Sequence, residues 1–399
     1  MIGHIDADCF YVSCERIRYP SLNGKPVGVL GNQGACVIAK SYEAKDRGVK
    51  TGVPIWEAVK ICPEMIFIKR DFRWYEVISH QILHVTKRFS ERVEYYSIDE
   101  MFFDARRVGD VDALRDMQDT YQRELGIPVT IGVAPTKMLA KLVSDTSKPH
   151  GCGVKRDKAE IEQLLNSLSI REITGIAHRR AQTLEACGIR TCLDFCRTDP
   201  AFIRRKLTVV GEKLWTELNG SPAFPLHEER PLHKCISRGG SIWKATADPT
   251  IIWAWIVRNL ERLVVELDHY RLATRRLAIV MEQQMDAGWA DSVTFPVETA
   301  TFEELLEGAK VIFDRHEFRI PIVRMHLLAN QLFRRSLRQR SLFSHEDPRR
   351  KRVADAKRAI NEKIERFTLR SGATLPLEEI HKDETNEFDI CDIRGKMCF

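Results

Sequence analysis

The run Met1-Ile2-Gly3-His4-Ile5-Asp6-Ala7-Asp8 decides how the rest of the chain is read. Successive side chains of a strand alternate faces, so Asp6 and Asp8 share one face and Ala7 takes the other. Carboxylates that converge at a strand end repel unless a cation or a proton intervenes. A second acidic pair, Asp99-Glu100, lies between the strand-like segments Val93 to Ser97 and Met101 to Asp104. Adjacent side chains diverge on a regular strand. Asp99 and Glu100 can therefore face one site only at a bend, and Ser97-Ile98-Asp99-Glu100 falls where one is expected.

Working outward, Ile78, Ile82, Val85 and Phe89 mark one face of a helix over residues 74–90. Val111, Leu114, Met117, Tyr121 and Leu125 mark a second helix, followed by a strand from Val129 to Val133. With residues 19–76 set aside as an insertion, the order is β-α-β-β-α-β, the split pattern of a ferredoxin-like sheet. First and third strands are neighbours in such a sheet, which brings Asp6 near Asp99 and Glu100. Three hard oxygen donors around one point describe a magnesium site with room for substrate phosphates. Two such ions can activate a hydroxyl and stabilise a leaving pyrophosphate.

The 399 residues exceed one typical core, so two to four domains are expected. With 44% apolar and 30% charged residues the composition is that of a globular protein. No stretch approaches the ~18 apolar residues of a membrane span, and the N-terminus enters a strand without an export signal, which predicts a cytoplasmic protein. The eleven cysteines then read as reduced thiols. Neither Cys192 with Cys196 nor Cys391 with Cys398 has zinc-type spacing. Net charge is +6, and between Arg319 and Arg358 twelve basic residues face only Glu346, Asp347 and Asp355 in the same stretch, a stripe suited to a polyanion.

From about 167 to 229 the pattern changes to short helices. Ile173-Thr174-Gly175-Ile176-Ala177 and Val209-Val210-Gly211-Glu212 read as helix-hairpin-helix turns, whose Gly175 and Gly211 could offer backbone N–H groups to a DNA phosphate. Pro222, Pro225 and Pro231 mark a linker. A second α+β unit follows, with strands near 237–243, 277–283, 291–297 and 323–328 and helices near 249–270 and 302–313. Past Ser344 the chain is charged and reads as a mobile extension, although Val353, Ile360, Ile364 and Phe367 are spaced for one amphipathic helix.

These residues carry a family signature. His4-Ile5-Asp6-Ala7-Asp8-Cys9-Phe10-Tyr11-Val12-Ser13-Cys14-Glu15 resembles the opening motif of the Y-family, translesion DNA polymerases. Tyr96-Ser97-Ile98-Asp99-Glu100 resembles their second metal motif, and Val37 to Lys45 with Gly48-Val49 their fingers segment. Gly132-Val133-Ala134-Pro135-Thr136-Lys137 and Ser147-Lys148-Pro149 are similar to the end of their palm. The resemblance implies an α+β multidomain chain: a palm over 1–166 with a fingers insertion at about 19–76, a helical thumb over 167–229, a little finger over 230–345 and an extension over 346–399. It further implies low-fidelity, template-directed addition of deoxynucleotides to a primer 3′ end, in damage tolerance and repair, by a monomeric catalytic unit using two Mg2+ ions.

Carried over by position, Asp6, Asp99 and Glu100 are metal ligands and Ala7 lends its carbonyl, whereas Asp8 is not a direct ligand. Tyr11 falls at the steric gate against a ribose 2′-hydroxyl. Tyr42, Lys45, Lys148 and the Phe10 N–H fall at triphosphate-binding positions. Two departures are visible. Lys45 stands where many relatives have arginine, replacing a bidentate fork by a point charge, and Ile38 occupies a nucleobase-roof position where several have a smaller side chain. These features lean towards polymerase V, whereas Tyr42 and Asp8 lean towards polymerase IV. Gln339-Arg340-Ser341-Leu342-Phe343 resembles a sliding-clamp peptide, with Gln339, Leu342 and Phe343 as anchors.

Overall fold

The computed structural model describes residues 1–31, 36–108, 110–229, 232–335, 348–364 and 368–377. The chain forms two units, Met1–Arg230 and Pro231–Lys382. In the first, the strand Ile2–Ala7 (β1) leads into the helix Phe10–Arg18 (α1). The strands Val27–Leu30 (β2) and Val37–Lys40 (β3), the helices Tyr42–Asp46 (α2) and Ile55–Ile61 (α3), and the strand Ile66–Lys69 (β4) follow. Strands β2 to β4 make their own sheet in the order β3-β2-β4, over a small core that includes Leu30, Val37, Ala44 and Ile55.

The main sheet resumes after this inserted region. Phe72–Phe89 (α4), Val93–Tyr95 (β5), Glu100–Asp104 (β6), Val111–Leu125 (α5), Val129–Ala134 (β7), Lys137–Ser147 (α6) and Cys152–Val154 (β8) complete it. Its order, β5-β6-β1-β7-β8, contains the ferredoxin-like arrangement expected from the helix and strand patterns, with β8 added parallel to β7. Side-chain acceptors open the two long helices: Asp71 takes the Trp74 N–H (3.3 Å) and Asp110 the Ala113 N–H (2.8 Å), satisfying donors the helices leave free.

Alternation gives the sheet two faces with different tasks. Ile5, Ala7, Met101, Phe103, Val129, Ile131 and Val133 pack in one core with Ile78, Ile82 and Val85 of α4 and Leu114, Met117 and Tyr121 of α5. Ile2, Phe102 and Ala134 instead join a second core with α6 and the helices beyond it. His4, Asp6, Thr130 and Gly132 share that second face by register. Gly132 is required there, because a Cβ would lie 2.3 Å from Ala140 O and from Ser144 N. Its bare backbone lets α6 settle on the sheet.

The second core is built by Lys158–Ser167 (α7), His178–Glu185 (α8), Cys192–Arg197 (α9) and Pro200–Leu218 (α10). Gly175 makes an exposed turn ahead of α8 at φ +94°. The second turn is not centred on its glycine. The helical path breaks at Thr208 (φ 68°), leaving Val209 and Val210 exposed, while Gly211 is buried with no room for a Cβ beside Leu207. Gly211 thus serves close packing just past the break.

Two buried carboxylates join these helices to the sheet. Glu217 of α10, fully buried, accepts from the N–H groups of Ala223 (2.7 Å), Phe224 (2.8 Å) and Met138 (3.2 Å), the last in the first turn of α6. Its carbonyl accepts from Thr136 Oγ1 at 2.8 Å. Glu94 pairs with Lys137 Nζ at 2.7 Å and accepts the His227 N–H at 2.8 Å, with the two side chains 9% and 6% exposed.

The second unit contains Cys235–Thr246 (β9), Pro249–His269 (α11), Leu272–Gln283 (β10), Asp286–Thr299 (β11), Phe302–Asp314 (α12) and Ile322–Arg334 (β12). Its antiparallel sheet runs β11-β10-β12-β9, a different strand order from the first unit despite the same βαββαβ sequence. The extension expected to be mobile supplies the helix Pro348–Lys363 (α13) and the segment Gly372–Leu377. Its apolar stripe does not hold it, since Val353 and Ile364 are each 69% exposed; Phe367 lies outside the described residues. Charge and a small apolar foot do: Lys357 Nζ meets Glu261 of α11 at 2.6 Å, and Leu377 enters the unit's core. The basic stripe is likewise less one-sided in space. Arg335 and Arg358 pair with Asp268, and Arg324 pairs with Glu282, acids distant in sequence.

Candidate active site

Strand β1 pairs antiparallel with β6, and Asp6 stands directly opposite Glu100. The Ala7 N–H donates to Asp99 O at 2.9 Å, so the neighbouring Asp6–Glu100 pair is of the close, non-hydrogen-bonded kind, with Cα atoms roughly 4.5 Å apart. Opposed residues project to the same face. The expected bend is present. Ser97 Oγ accepts the Glu100 N–H (3.1 Å) and donates to Asp99 Oδ1 (2.6 Å), turning the chain and pinning the Asp99 carboxylate.

Two acids on one buried face call for positive charge, and α6 with the residue that ends it supplies it. Lys148 Nζ lies 2.6 Å from Asp6 Oδ2, and Lys141 Nζ is hydrogen-bonded to Glu100 Oε1. Asp145, between them on the same helical face, reaches both lysines at 3.5 and 3.8 Å. Burial pushes the Asp6 carboxyl from 3.8 up to about 7; Lys148 pulls it back only in part, and the nearby Glu100 charge adds to the rise. For Lys148 burial disfavours the charge, yet Asp6 and Asp145 outweigh it and the pKa rises.

Among the described residues no three His, Cys, Asp or Glu side chains gather as a ready metal cage. The lysines and Ser97 account for this, since each carboxylate of Asp6, Glu100 and Asp99 is turned to one of them. The donor set still suits a divalent cation: hard oxygens, one of them on a buried acid that burial alone leaves poorly ionised.

Asp8 belongs to a separate cluster. Its carboxylate accepts from Tyr42 OH (3.0 Å), Thr130 Oγ1 (3.0 Å) and the His150 N–H (2.8 Å), tying β1 to β7, α2 and the chain after α6. Tyr42 therefore directs its hydroxyl at Asp8, and burial followed by that carboxylate raises its pKa. Lys45, one turn on, is exposed, its Nζ 5.7 Å from the centre of the Tyr42 ring. Helix α1 opens at Cys9 without a side-chain cap, so Phe10 carries an N–H with no helical partner. The Tyr11 ring stacks on Tyr75 (4.6 Å, 18°) and meets Phe72 edge-on at 5.8 Å. Gln339, Leu342 and Phe343 lie outside the described residues.

Fully buried His4 was not singled out by its sequence context. Its Nδ1 lies 2.6 Å from Ser144 Oγ, its ring tilts against Phe102 at 4.6 Å, and its Nε2 has no hydrogen-bond partner. Burial, then the charges of Lys141, Lys148 and Lys137, hold its pKa well below the ordinary value, so the ring is neutral. Lys141 was missed too. Its signal was the seven-residue interval to Lys148, two helical turns that return to one face.

The profile of the impB/mucB/samB family matches residues 5–145. DNA polymerase IV of Bacillus velezensis is 30% identical over 397 residues, 95% of this chain and 94% of that protein. Protein ImpB of Salmonella typhimurium is 31% identical over 289 residues, 69% of this chain and 68% of that protein. Among solved structures, a Y-family DNA polymerase chimera covers 83% of this chain and 99% of its own at TM-score 0.71 and 24% identity. DinB from Sulfolobus solfataricus covers 82% and 98% at TM-score 0.55 and 24% identity. At that identity these structures speak for the fold. No described helix is long and apolar enough to cross a membrane.

Proposed function

This chain belongs to the impB/mucB/samB family of Y-family DNA polymerases, and from that premise we propose that Asp6, Asp99 and Glu100, with the Ala7 carbonyl, are the groups that hold two Mg2+ ions for nucleotidyl transfer. The protein is a template-directed DNA polymerase of the translesion type, serving DNA damage tolerance. The observation that carries the residue assignment is the direct opposition of Asp6 and Glu100 across β1 and β6, with Asp99 bonded through its backbone to Ala7. When bound, the ions supply Lewis-acid activation of a primer 3′-hydroxyl and charge neutralisation at the leaving pyrophosphate.

The chain's own groups do the rest. Asp6 and Glu100 keep lysines as counter-charges in the protein alone. Lys148, freed from Asp6, becomes available for a deoxynucleoside triphosphate beside Lys45, Tyr42 and the Phe10 N–H. Backbone N–H groups at a helix start suit a phosphate oxygen. Tyr11, held against Tyr75, forms the floor that excludes a 2′-hydroxyl. Positioning and charge stabilisation then suffice for in-line displacement, without a dedicated side-chain base.

The helical region with Gly175 and Gly211 is read as the thumb that tracks the backbone of primer–template DNA, and the second unit as the little finger. Gln339, Leu342 and Phe343 are read as the anchors for a sliding clamp, a tether that raises local concentration without altering the chemistry. A cytoplasmic setting suits the nine free thiols among the described cysteines. The test is primer extension by Asp99→Ala. Loss of synthesis with duplex binding retained is expected; continued synthesis refutes the metal assignment.

A further inference from the structure

We propose that His4 is a positioning residue for Glu100, offering an Nε2–H to that carboxylate while Ser144 holds the opposite ring nitrogen. The inference rests on the reading of Glu100 as an acid of the active site. His4 shares the second face of β1 with Asp6 and is fully buried. The Nε2 atom, without a hydrogen-bond partner, lies 3.9 Å from Glu100 Oε1. That oxygen is the one Lys141 holds. A buried polar atom left unpaired is costly, and this one is aimed at the reaction's acidic side.

The carboxylate beside Nε2 is the argument for which nitrogen carries the proton. A neutral imidazole has one donor and one acceptor. A lone pair at Nε2 facing a carboxylate in a dry site is repulsive, whereas an N–H is attractive. The proton is assigned to Nε2 on that ground; Ser144 Oγ, placed 2.6 Å from Nδ1 and 2.8 Å from Lys141 O, then turns its one hydrogen from that carbonyl to the ring. Gly132, paired with His4 across β1 and β7, makes this contact possible by admitting Ser144 to the sheet.

Lys141 and Ser144 project from one stretch of α6, so helix and strand address Glu100 Oε1 from two sides. The ammonium holds it in the protein alone. When Lys141 lets go, His4 supplies a neutral donor that keeps the carboxylate oriented without cancelling the charge a cation requires. Outer hydrogen bonds of this kind commonly tune metal affinity by roughly 10- to 100-fold.

Two measurements test this on the full chain. Long-range proton–nitrogen correlation of the labelled histidine rings reports the His4 tautomer directly. The Nε2–H form is expected in the parent protein, and a mixture in Ser144→Ala; an Nδ1–H ring overturns the proposal. Calorimetric titration of Mn2+ into the protein on primer–template with a non-hydrolysable nucleotide is the second. His4→Leu should weaken Mn2+ binding roughly 10- to 100-fold, whereas His4→Gln, whose amide can donate from the same region, should stay within about threefold. Parent-like affinity in His4→Leu, or equal losses in both variants, overturns it. If His4→Leu does not fold, the tautomer and His4→Gln decide. Synthesis by Asp99→Ala would instead overturn the underlying site, so the two failures are distinguishable.

Discussion

Replacing Asp6 by Asn should make the metal-free protein more stable while ending its activity. Burial raises the Asp6 carboxyl from 3.8 to about 7, a shift of roughly three units at 1.36 kcal/mol each, or about 4 kcal/mol. Because the folded value is the higher, the favourable contribution is complete below 3.8 and is lost as pH rises through about 7. Above that, the fold carries an ionised acid that it solvates poorly. Asparagine keeps the shape uncharged at every pH. Against this, Lys148 loses its 2.6 Å partner, although its side chain is 32% exposed and can turn to water. The net gain expected near pH 8 is therefore about 1–3 kcal/mol, shrinking to nothing or below near pH 4. Amide exchange of the Ile2–Ala7 and Glu100–Asp104 strands, in chelator and across that pH range, reads the difference strand by strand. An Asn variant no more stable than the parent at pH 8, or one whose advantage does not change with pH, refutes the reasoning.

Further expectations can be checked beside it. Tyr11→Ala should raise ribonucleotide incorporation, scored by competing nucleotides on one template; unchanged sugar selectivity would remove the gate role. Lys137→Met should cost about 3–5 kcal/mol in urea unfolding, because it strands Glu94 in the interior, and Glu94→Gln combined with it should recover most of the loss. Replacing Leu342 and Phe343 together by Ala should spare basal extension and erase stimulation by a sliding clamp, and persistent stimulation would mean the tether lies elsewhere.

The sequence made the palm legible because its signals were periodic and long. The face of α4 and that of α5 were written in spacings of three and four, and the bend at Ser97 followed from two acids that could not otherwise converge. The site was legible only as far as its anions. Their counter-charges, Lys141 and Lys148, come from a helix and the residue just past its end, which pack on the sheet through Gly132, and that closeness has no local signature. Tyr42 and Asp8 were read separately, yet one donates to the other across 34 residues. The break at Thr208 also escaped, since a positive φ is expected of the nearby glycine, not of a β-branched residue. The C-terminal helix was legible as a helix, but its apolar positions face water, and it is Lys357 and Leu377 that fasten the extension.

The Glu217 joint ties the helical region to α6. Both oxygens of that side chain are committed to peptide groups of different segments, so α10 and the start of α6 cannot slide apart without leaving buried polar atoms unpaired. The second half of α10 is thus fastened at Glu217 to the first turn of α6, the same helix that carries Lys141 to Glu100.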